Sequence, residues 1–388
     1  MNTTELPIQP LLSHSQPANN DSINSRSMLL GLIQNYHTVY HIEHRDRPNV
    51  LARVLLSLHD FDADQNQLTQ VYHHIHPDLE PLQRPNHIIH QENWQEFLGN
   101  HSSYGDYLVF FDQEIQQNGI QATVDRYFYR WQLYTSIGSQ LQPLVHLAFG
   151  LEQQLPEIVS QGLAYLACSY LDVSELLLGP PKGHSTNTTS QILFDLINAD
   201  QRFDGRMDGS NTFCSAAKLL LKSKPDLLRT YMAEWVPPDE DDPLTDLIQT
   251  ARRLIHVSAR HTRDGQIHLD WFLGGGQLLA SALAIRTLAT PDSRDTLLRL
   301  QYLATICTYV IQGRPKPEPN STLGNQQLSM AGCIQAVVAS GDPKAILIIQ
   351  SLVKLPLTSA SLDTANFIVA FLEKGGIWVK PGTGWASL

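Results

Sequence analysis

An all-α fold, one large multi-helix domain, is what this sequence predicts, on three observations. Apolar residues recur at spacings of three and four through almost every segment, the pattern of a helix with one buried face. Strand-like alternation is scarce, and no Gly-rich phosphate loop, dinucleotide fingerprint or fixed-period repeat occurs. The 388 residues are 42% hydrophobic and 17% charged, enough apolar material for a substantial core.

The segments follow in order. SMLLGLIQNYHTVYHIEH sets Leu29, Leu30, Ile33, Tyr36, Tyr40 and His44 near one helix face, with Ser27 as a cap. PNVLARVLLSL repeats the pattern through Val50, Leu51, Val54, Leu55 and Leu58. NWQEFLG is a short helical stretch, and YGDYLVFFDQEIQQNG ends at Gly119, a helix stop. TVDRYFYRWQLY, PLVHLAFGLEQQL and PEIVSQGLAYLACSYLD come next, the last opening on Pro156, which suits a first helical position. The Pro/Gly/Ser/Thr-rich stretch at 179–189 reads as a long loop and a possible boundary. SQILFDLINAD, KLLLKSK, DPLTDLIQTARRLIHVSA, GQLLASALAIRTLA and SRDTLLRLQYLATICTYVIQG continue the helices, and two more precede a Gly-rich tail. Residues 1–26, rich in Asn, Ser, Gln and Pro, read as a disordered arm rather than a signal peptide, leaving 27–388 as the folded domain.

Composition narrows the function. A net charge of −11 argues against a nucleic-acid partner, which needs clustered Lys and Arg, and against anionic membrane surfaces. No apolar run approaches the roughly 18 residues of a membrane span. Cys168, Cys214, Cys307 and Cys333 are far apart without paired spacing, which suits reduced thiols and a cytoplasmic protein.

The stretch QPLVHLAFGLE puts one histidine, His146, into an otherwise apolar helix, with Gln142 one turn before it. This block, together with ENWQEFLGNHSSYGDYLVFFDQEIQQNG and HLDWFLGGGQLLASAL, resembles the questin oxidase-like family in sequence and in order. The family blocks read Asn-Trp…Tyr-x-x-Tyr-Leu-x-Phe-Phe, His-Pro-Leu-Ile-His-Leu-Gly-Tyr-Gly-Leu-Glu and Leu-Asp-Phe-Phe-Leu-Met-His. Weaker echoes lie in NADQRFDG, TYVIQGRP and GIWVKPGTGW. The resemblance implies an enzyme oxidising aromatic polyketides in a central cavity among the helices. For at least one branch it implies non-haem iron held by histidines and a modified lysine, with an open position for oxygen.

The implied ligands are largely missing. Gln142 stands where the family has the first histidine of its His-Pro-Leu-Ile-His pair, so only His146 remains. Asn49-Val50-Leu51-Ala52-Arg53 replaces Asn-His-x-x-His, and Asp270-Trp271-Phe272-Leu273 runs into Gly274 and Gly275 instead of Met-His. The family lysine has no evident counterpart: Gln301 stands in one candidate segment, and 326–339 holds neither Lys nor His. No resident cofactor is therefore expected, and iron only in a rebuilt site.

Two readings of His146 stay open: a hydrogen-bonded core histidine, or an acid/base or orienting group facing the cavity. Arg53 is a surface arginine, or one paired with Asp270, or a fixed cation for a carboxylate, phenolate or enolate oxygen. Asp270 is that partner or a candidate base. The sequence thus nominates His146, Arg53 and Asp270 as catalytic, and Gln142, Phe149, Tyr107, Phe111, Trp271, Gly275 and His41 as substrate-binding, with no metal ligand. Gly274, Gly275 and Gly276 either let a ligand approach the backbone or make a tight turn. His37, His41 and His44 would share one face if helical, His73, His74 and His76 read as a solvated loop, and the acids at 239–242 read as helix-start charges. Three functions follow: an enzyme modifying an aromatic or apolar secondary metabolite, by iron-free oxygenation or by acid/base cyclisation or isomerisation; a non-catalytic carrier of such a molecule; or an interaction protein whose cavity is filled. The first is the expectation. The oligomeric state is not legible from one chain.

Overall fold

The structure is a computed structural model that describes residues 20–44, 47–179, 187–203, 212–236, 242–262, 266–317 and 327–379, with side chains from Arg26 onward. It is all-α, with seventeen α-helices among the described residues and strands of two to four residues.

In chain order the first helices are α1 (Asn20–Tyr36), α2 (Leu51–Asp60), α3 (Gln65–Ile75), α4 (Tyr104–Asn118), α5 (Ile120–Val124), α6 (Gln142–Gln153) and α7 (Pro156–Cys168). Then come α8 (Ser174–Leu177), α9 (Thr189–Gln191), α10 (Phe213–Ser223), α11 (Pro225–Glu234) and α12 (Thr245–Val257). The last are α13 (Gln277–Leu288), α14 (Arg294–Ile311), α15 (Met330–Ser340), α16 (Pro343–Val353) and α17 (Ser359–Glu373). The core centres on α6, whose residues Gln142 to Gly150 are all buried. Helix α7 packs against it, α4 covers the far side of α7, and α13 covers the other side of α6.

Two glycines explain how closely α6 and α7 pack. A Cβ on Gly150 would sit 2.7 Å from the Val159 nitrogen, and one on Gly162 2.7 Å from Leu147 Cα. Only a bare backbone fits at either place. The chain enters α6 through three consecutive left-handed residues, Ser139 (φ 45°), Gln140 (φ 51°) and Leu141 (φ 61°). Side chains with a Cβ disfavour this region by roughly 1–2 kcal/mol each. Gln140 is anchored by Nε2–H donation to Thr308 Oγ1 of α14 at 3.1 Å, and the bend sets the direction in which Gln142 leaves the chain.

Two small sheets frame the same region. Strand β1 (Glu43–His44) pairs with β2 (Arg47–Pro48), while β4 (Ile267–Asp270) lies antiparallel to β3 (Ala259–His261) and parallel to β5 (Ile377–Val379). The β4–β5 register sets Leu269 opposite Trp378 and Asp270 opposite Val379.

Several local expectations change. The first helix begins at Asn20, inside the stretch read as a disordered arm, and stops at Tyr36. His37, His41 and His44 therefore share no helix face: His44 is in β1, and the Tyr40 bridge to Pro81 has already turned the chain. His73 and His74 lie in α3, whose Asp64–Gln67 capping box starts a helix where a loop was expected. NWQEFLG is a single 3-10 turn, Trp94–Phe97. Residues 1–19, 180–186 and 237–241 carry most of the arm, the loop and the acidic run, and they lie outside the described residues. All four cysteines are free thiols, and no described helix is long and apolar enough to cross a membrane.

Candidate functional site

Helices α2 and α6 bring Arg53 and Gln142 together. Arg53 is 6% exposed, on a helix whose neighbouring residues Val54, Leu55 and Leu58 are fully packed. Its Nη1–H reaches Gln142 Oε1 at 3.5 Å, a long contact, and no carboxylate among the described residues lies within ion-pair distance of it. Burial pulls its pKa down to about 10, opposed by Glu152 and Tyr165, so the group remains a cation at neutral pH. The Nε2 of Gln142 is buried and has no acceptor. A desolvated cation and a spare amide donor thus sit side by side, an arrangement that costs stability unless an acceptor arrives.

Behind them runs a chain of hydrogen bonds to His146, which is 5% exposed. Gln161 lies 3.4 Å from the His37 carbonyl through Nε2, which assigns the amide nitrogen to that side because a carbonyl can only accept. The same nitrogen donates to His37 Nδ1 at 3.2 Å, so His37 carries its proton on Nε2 and donates to Asp112 at 2.9 and 3.0 Å. Gln161 Oε1 then accepts from His146 Nε2–H at 2.9 Å, leaving His146 Nδ1 as the unprotonated nitrogen. Burial lowers the His146 pKa to about 4; the Gln161 bond opposes this while Arg53 and His37 add to it. The ring is neutral at pH 7.

Arg53 and Gln142 open onto a cleft of about 310 Å³. Its wall also carries Trp271, Gln277, Lys344 and Trp378, so α2, α6, the turn before α13, α16 and β5 all contribute. The Gln277 Oε1 is a buried acceptor without a donor. Lys344 Nζ lies 4.3 Å from the Trp271 ring centroid, and the Arg47 guanidinium lies 5.1 Å from it. Trp271 therefore steadies cations as well as lining the cleft.

The residues nominated from sequence fall into two groups. Arg53, Gln142, Trp271, Gly275 and His41 line the same cleft. His41 takes the Glu43 backbone N–H on Nδ1 at 3.1 Å, and burial followed by the nearby His101 lowers its pKa to about 4. Tyr107 and Phe111 are fully buried in the core, Tyr107 donating to the Trp94 carbonyl at 2.6 Å, and neither lines the cleft. Phe149 borders only a recess of about 20 Å³ beside Arg53. Asp270 does not pair with Arg53: its Oδ1 accepts from the Phe272 and Leu273 backbone N–H at 2.9 and 2.8 Å. Burial pushes its carboxyl up to about 7 despite those two donors.

The glycine run makes the turn that Asp270 caps. A Cβ on Gly275 would lie 2.1 Å from the Trp271 carbonyl oxygen, and Gly276, at φ 74°, would place one 2.8 Å from Ile348 of α16. The run folds the chain tightly between Trp271 and α13 and keeps the cleft wall thin at Gly275 and Gly276.

Iron held as the resemblance implies does not fit these residues. His146 is tied to Gln161, the neighbouring donors are an amide and a guanidinium, and a fixed cation repels a metal ion beside it. Among the described residues no three His, Cys, Asp or Glu side chains are grouped to hold an ion. Gln277, Lys344, Trp378 and the His37–Gln161 link were missed from sequence. Gln277 and Trp378 lie inside the resembling blocks without standing out there, and Gln161 left its own signal, a long polar side chain in a mostly apolar helix.

Fold and cleft together define the class: an all-helical protein with a donor-rich, tryptophan-walled cleft of small-molecule size. Residues 48–352 match the family described as questin oxidase-like, and the chain belongs to that family. It is 27% identical to oxidoreductase AflY of Aspergillus parasiticus over 256 residues, 61% of this chain and 51% of that protein. It is 30% identical to Baeyer-Villiger oxidase ptaJ of Pestalotiopsis fici over 153 residues, 35% of this chain and 34% of that one. A shorter match, 35% over 95 residues, covers 22% of this chain and 21% of questin oxidase of Aspergillus fumigatus. The matched segments thus span about half or less of these relatives' length.

Proposed function

We propose that this chain is an oxidative enzyme of secondary metabolism that binds an aromatic or otherwise apolar substrate in the cleft and works without bound iron. The observation that carries this reading is Arg53: a buried cation without a carboxylate partner among the described residues, beside the unpaired Gln142 amide, on the wall of a tryptophan-lined cleft. Such a pair suits an oxyanion. The relatives' names, an oxidoreductase, a questin oxidase and a Baeyer-Villiger oxidase, support oxidation as the reaction class.

The chemistry follows from the charge. A phenol or enol bound with its oxygen at Arg53 and Gln142 Nε2 loses its proton to water in the cleft, because the fixed cation stabilises the anion. The electron-rich enolate carbon gives one electron to dioxygen. The carbon radical and superoxide then form a C–O bond, and the peroxide takes up a proton, so substrate C–H plus O2 becomes substrate C–OOH. His146, neutral and bonded to Gln161, lies off the cleft wall and holds α6 to α7, while His41 serves as a wall of the cleft and Asp270 as the cap that positions Trp271. The test is turnover of a hydroxyanthraquinone under ¹⁸O₂. Label in the product with wild type, forming roughly 100-fold or more slowly with Arg53→Met, is expected. Binding without turnover in any substrate tried would favour the carrier reading, and equal labelling in the variant would refute the role of Arg53.

A further inference from the structure

The partners around the cleft are unevenly matched. Among the described residues, each carboxylate on its wall is already engaged. Asp78 accepts from Arg47 Nη1 at 3.0 Å, and Glu80 accepts from His44. Asp342 takes the Lys344 and Ala345 backbone N–H on Oδ1 at 3.0 and 2.8 Å, and the Trp378 indole N–H on Oδ2 at 2.9 Å. Two of the cations are not so engaged: neither Arg53 nor Lys344 has an ion-pair partner among the described residues.

Lys344 is also held in place. It follows Pro343 at the start of α16, and its Nζ lies 4.3 Å from the Trp271 ring centroid and 5.6 Å from that of Trp378. Indole faces stabilise an ammonium but do not neutralise it. Burial pushes Lys344 below its ordinary pKa, Arg47 adds to the fall, and Asp342 and Asp78, neither within ion-pair distance, oppose it. A neutral ring system filling the cleft would desolvate Lys344 further and give it nothing in return.

We propose that the ligand of this cleft is an aromatic acid: an apolar ring system whose ring oxygen rests on Arg53 and Gln142 and whose carboxylate pairs with Lys344. This rests on the proposed function and narrows its substrate class. Lys344 is then the residue that selects acids over neutral analogues.

The probes are anthraquinone-2-carboxylate and the neutral anthraquinone-2-carboxamide, titrated calorimetrically at pH 7.5 into wild type, Lys344→Met, Lys344→Arg and Arg53→Met. The acid is expected to bind wild type at least about tenfold tighter than the amide, the scale of a partly desolvated ion pair. Lys344→Met should abolish that preference by weakening the acid while the amide binds as well as before or better, Lys344→Arg should keep it, and Arg53→Met should weaken both compounds. Equal binding of acid and amide to wild type overturns the inference, and that comparison needs no variant. A preference that survives Lys344→Met overturns the assignment to Lys344. Binding of neither compound overturns both this inference and the reading of the cleft beneath it.

Discussion

Replacing Arg53 with methionine separates a functional cation from a structural one. Methionine keeps most of the apolar stem and removes the charge. The fall of the Arg53 pKa from the ordinary arginine value to about 10 corresponds, at about 1.4 kcal/mol per tenfold change, to a net cost of about 3 kcal/mol in the folded state, burial outweighing Glu152 and Tyr165. Against this, the variant loses the long bond to Gln142 and leaves that oxygen unpaired as well, a cost of about 1–2 kcal/mol. The net expectation is a variant more stable by about 1–2 kcal/mol. Over 388 residues, with about 2.1 cal/mol/K of unfolding entropy per residue, that raises Tm by only about 1–2 °C, so urea unfolding is the better assay. Turnover should fall by roughly 100-fold or more, as when an oxyanion donor is removed. A variant that is markedly destabilised yet keeps its turnover would refute the reasoning, because Arg53 would then serve the fold.

Further expectations concern neighbouring groups. Ring-nitrogen NMR should show His146 as the Nε2–H tautomer, neutral from pH 8 down to about pH 5 given a pKa of about 4; titration near 6.5 or an Nδ1–H signal would contradict the Gln161 link. Asp270, raised to about 7 from an ordinary carboxylate value near 3.9, binds its proton more tightly when folded. Its contribution is therefore full below about pH 4 and lost as pH rises through 7, an effect of about 4 kcal/mol. Asp270→Asn keeps a turn acceptor and no charge, so it should gain stability over wild type at pH 8 and little at pH 4; parallel pH profiles in urea unfolding would argue otherwise. Gly276→Ala forces a side chain into φ 74° and against Ile348, and should cost about 2–3 kcal/mol in the same assay.

Much of the helical frame was legible because periodicity and punctuation agree. Gly119 ends α4 and Pro156 opens α7 as their chemistry requires. The limits came where long-range contacts override local pattern. The run through His44 has helical spacing, yet Tyr40 pairs with Pro81 and His37 is drawn to Asp112 and Gln161, so the helix stops at Tyr36. The left-handed run at Ser139, Gln140 and Leu141 contains no glycine and so left no mark. In the site, Arg53 and Gln142 were found through a pattern of substituted positions, and the fold brings them to one cleft with Trp271, Gly275 and His41. Tyr107 and Phe111 carry the same aromatic signal but spend it on the core. Lys344 and Trp378 lie far along the chain from Arg53, and although Trp378 falls in the GIWVKPGTGW echo, nothing local ties either residue to the site.

The central claim is that the Arg53 cleft oxidises its substrate without iron. The most direct measurement is turnover of a hydroxyanthraquinone by untagged protein whose metal content is determined by mass spectrometry in the same preparations, before and after chelation. Activity per mole of protein that is unchanged as iron falls to trace levels is the predicted result. Activity that follows iron content, and returns on adding ferrous ion to the stripped protein, would contradict it.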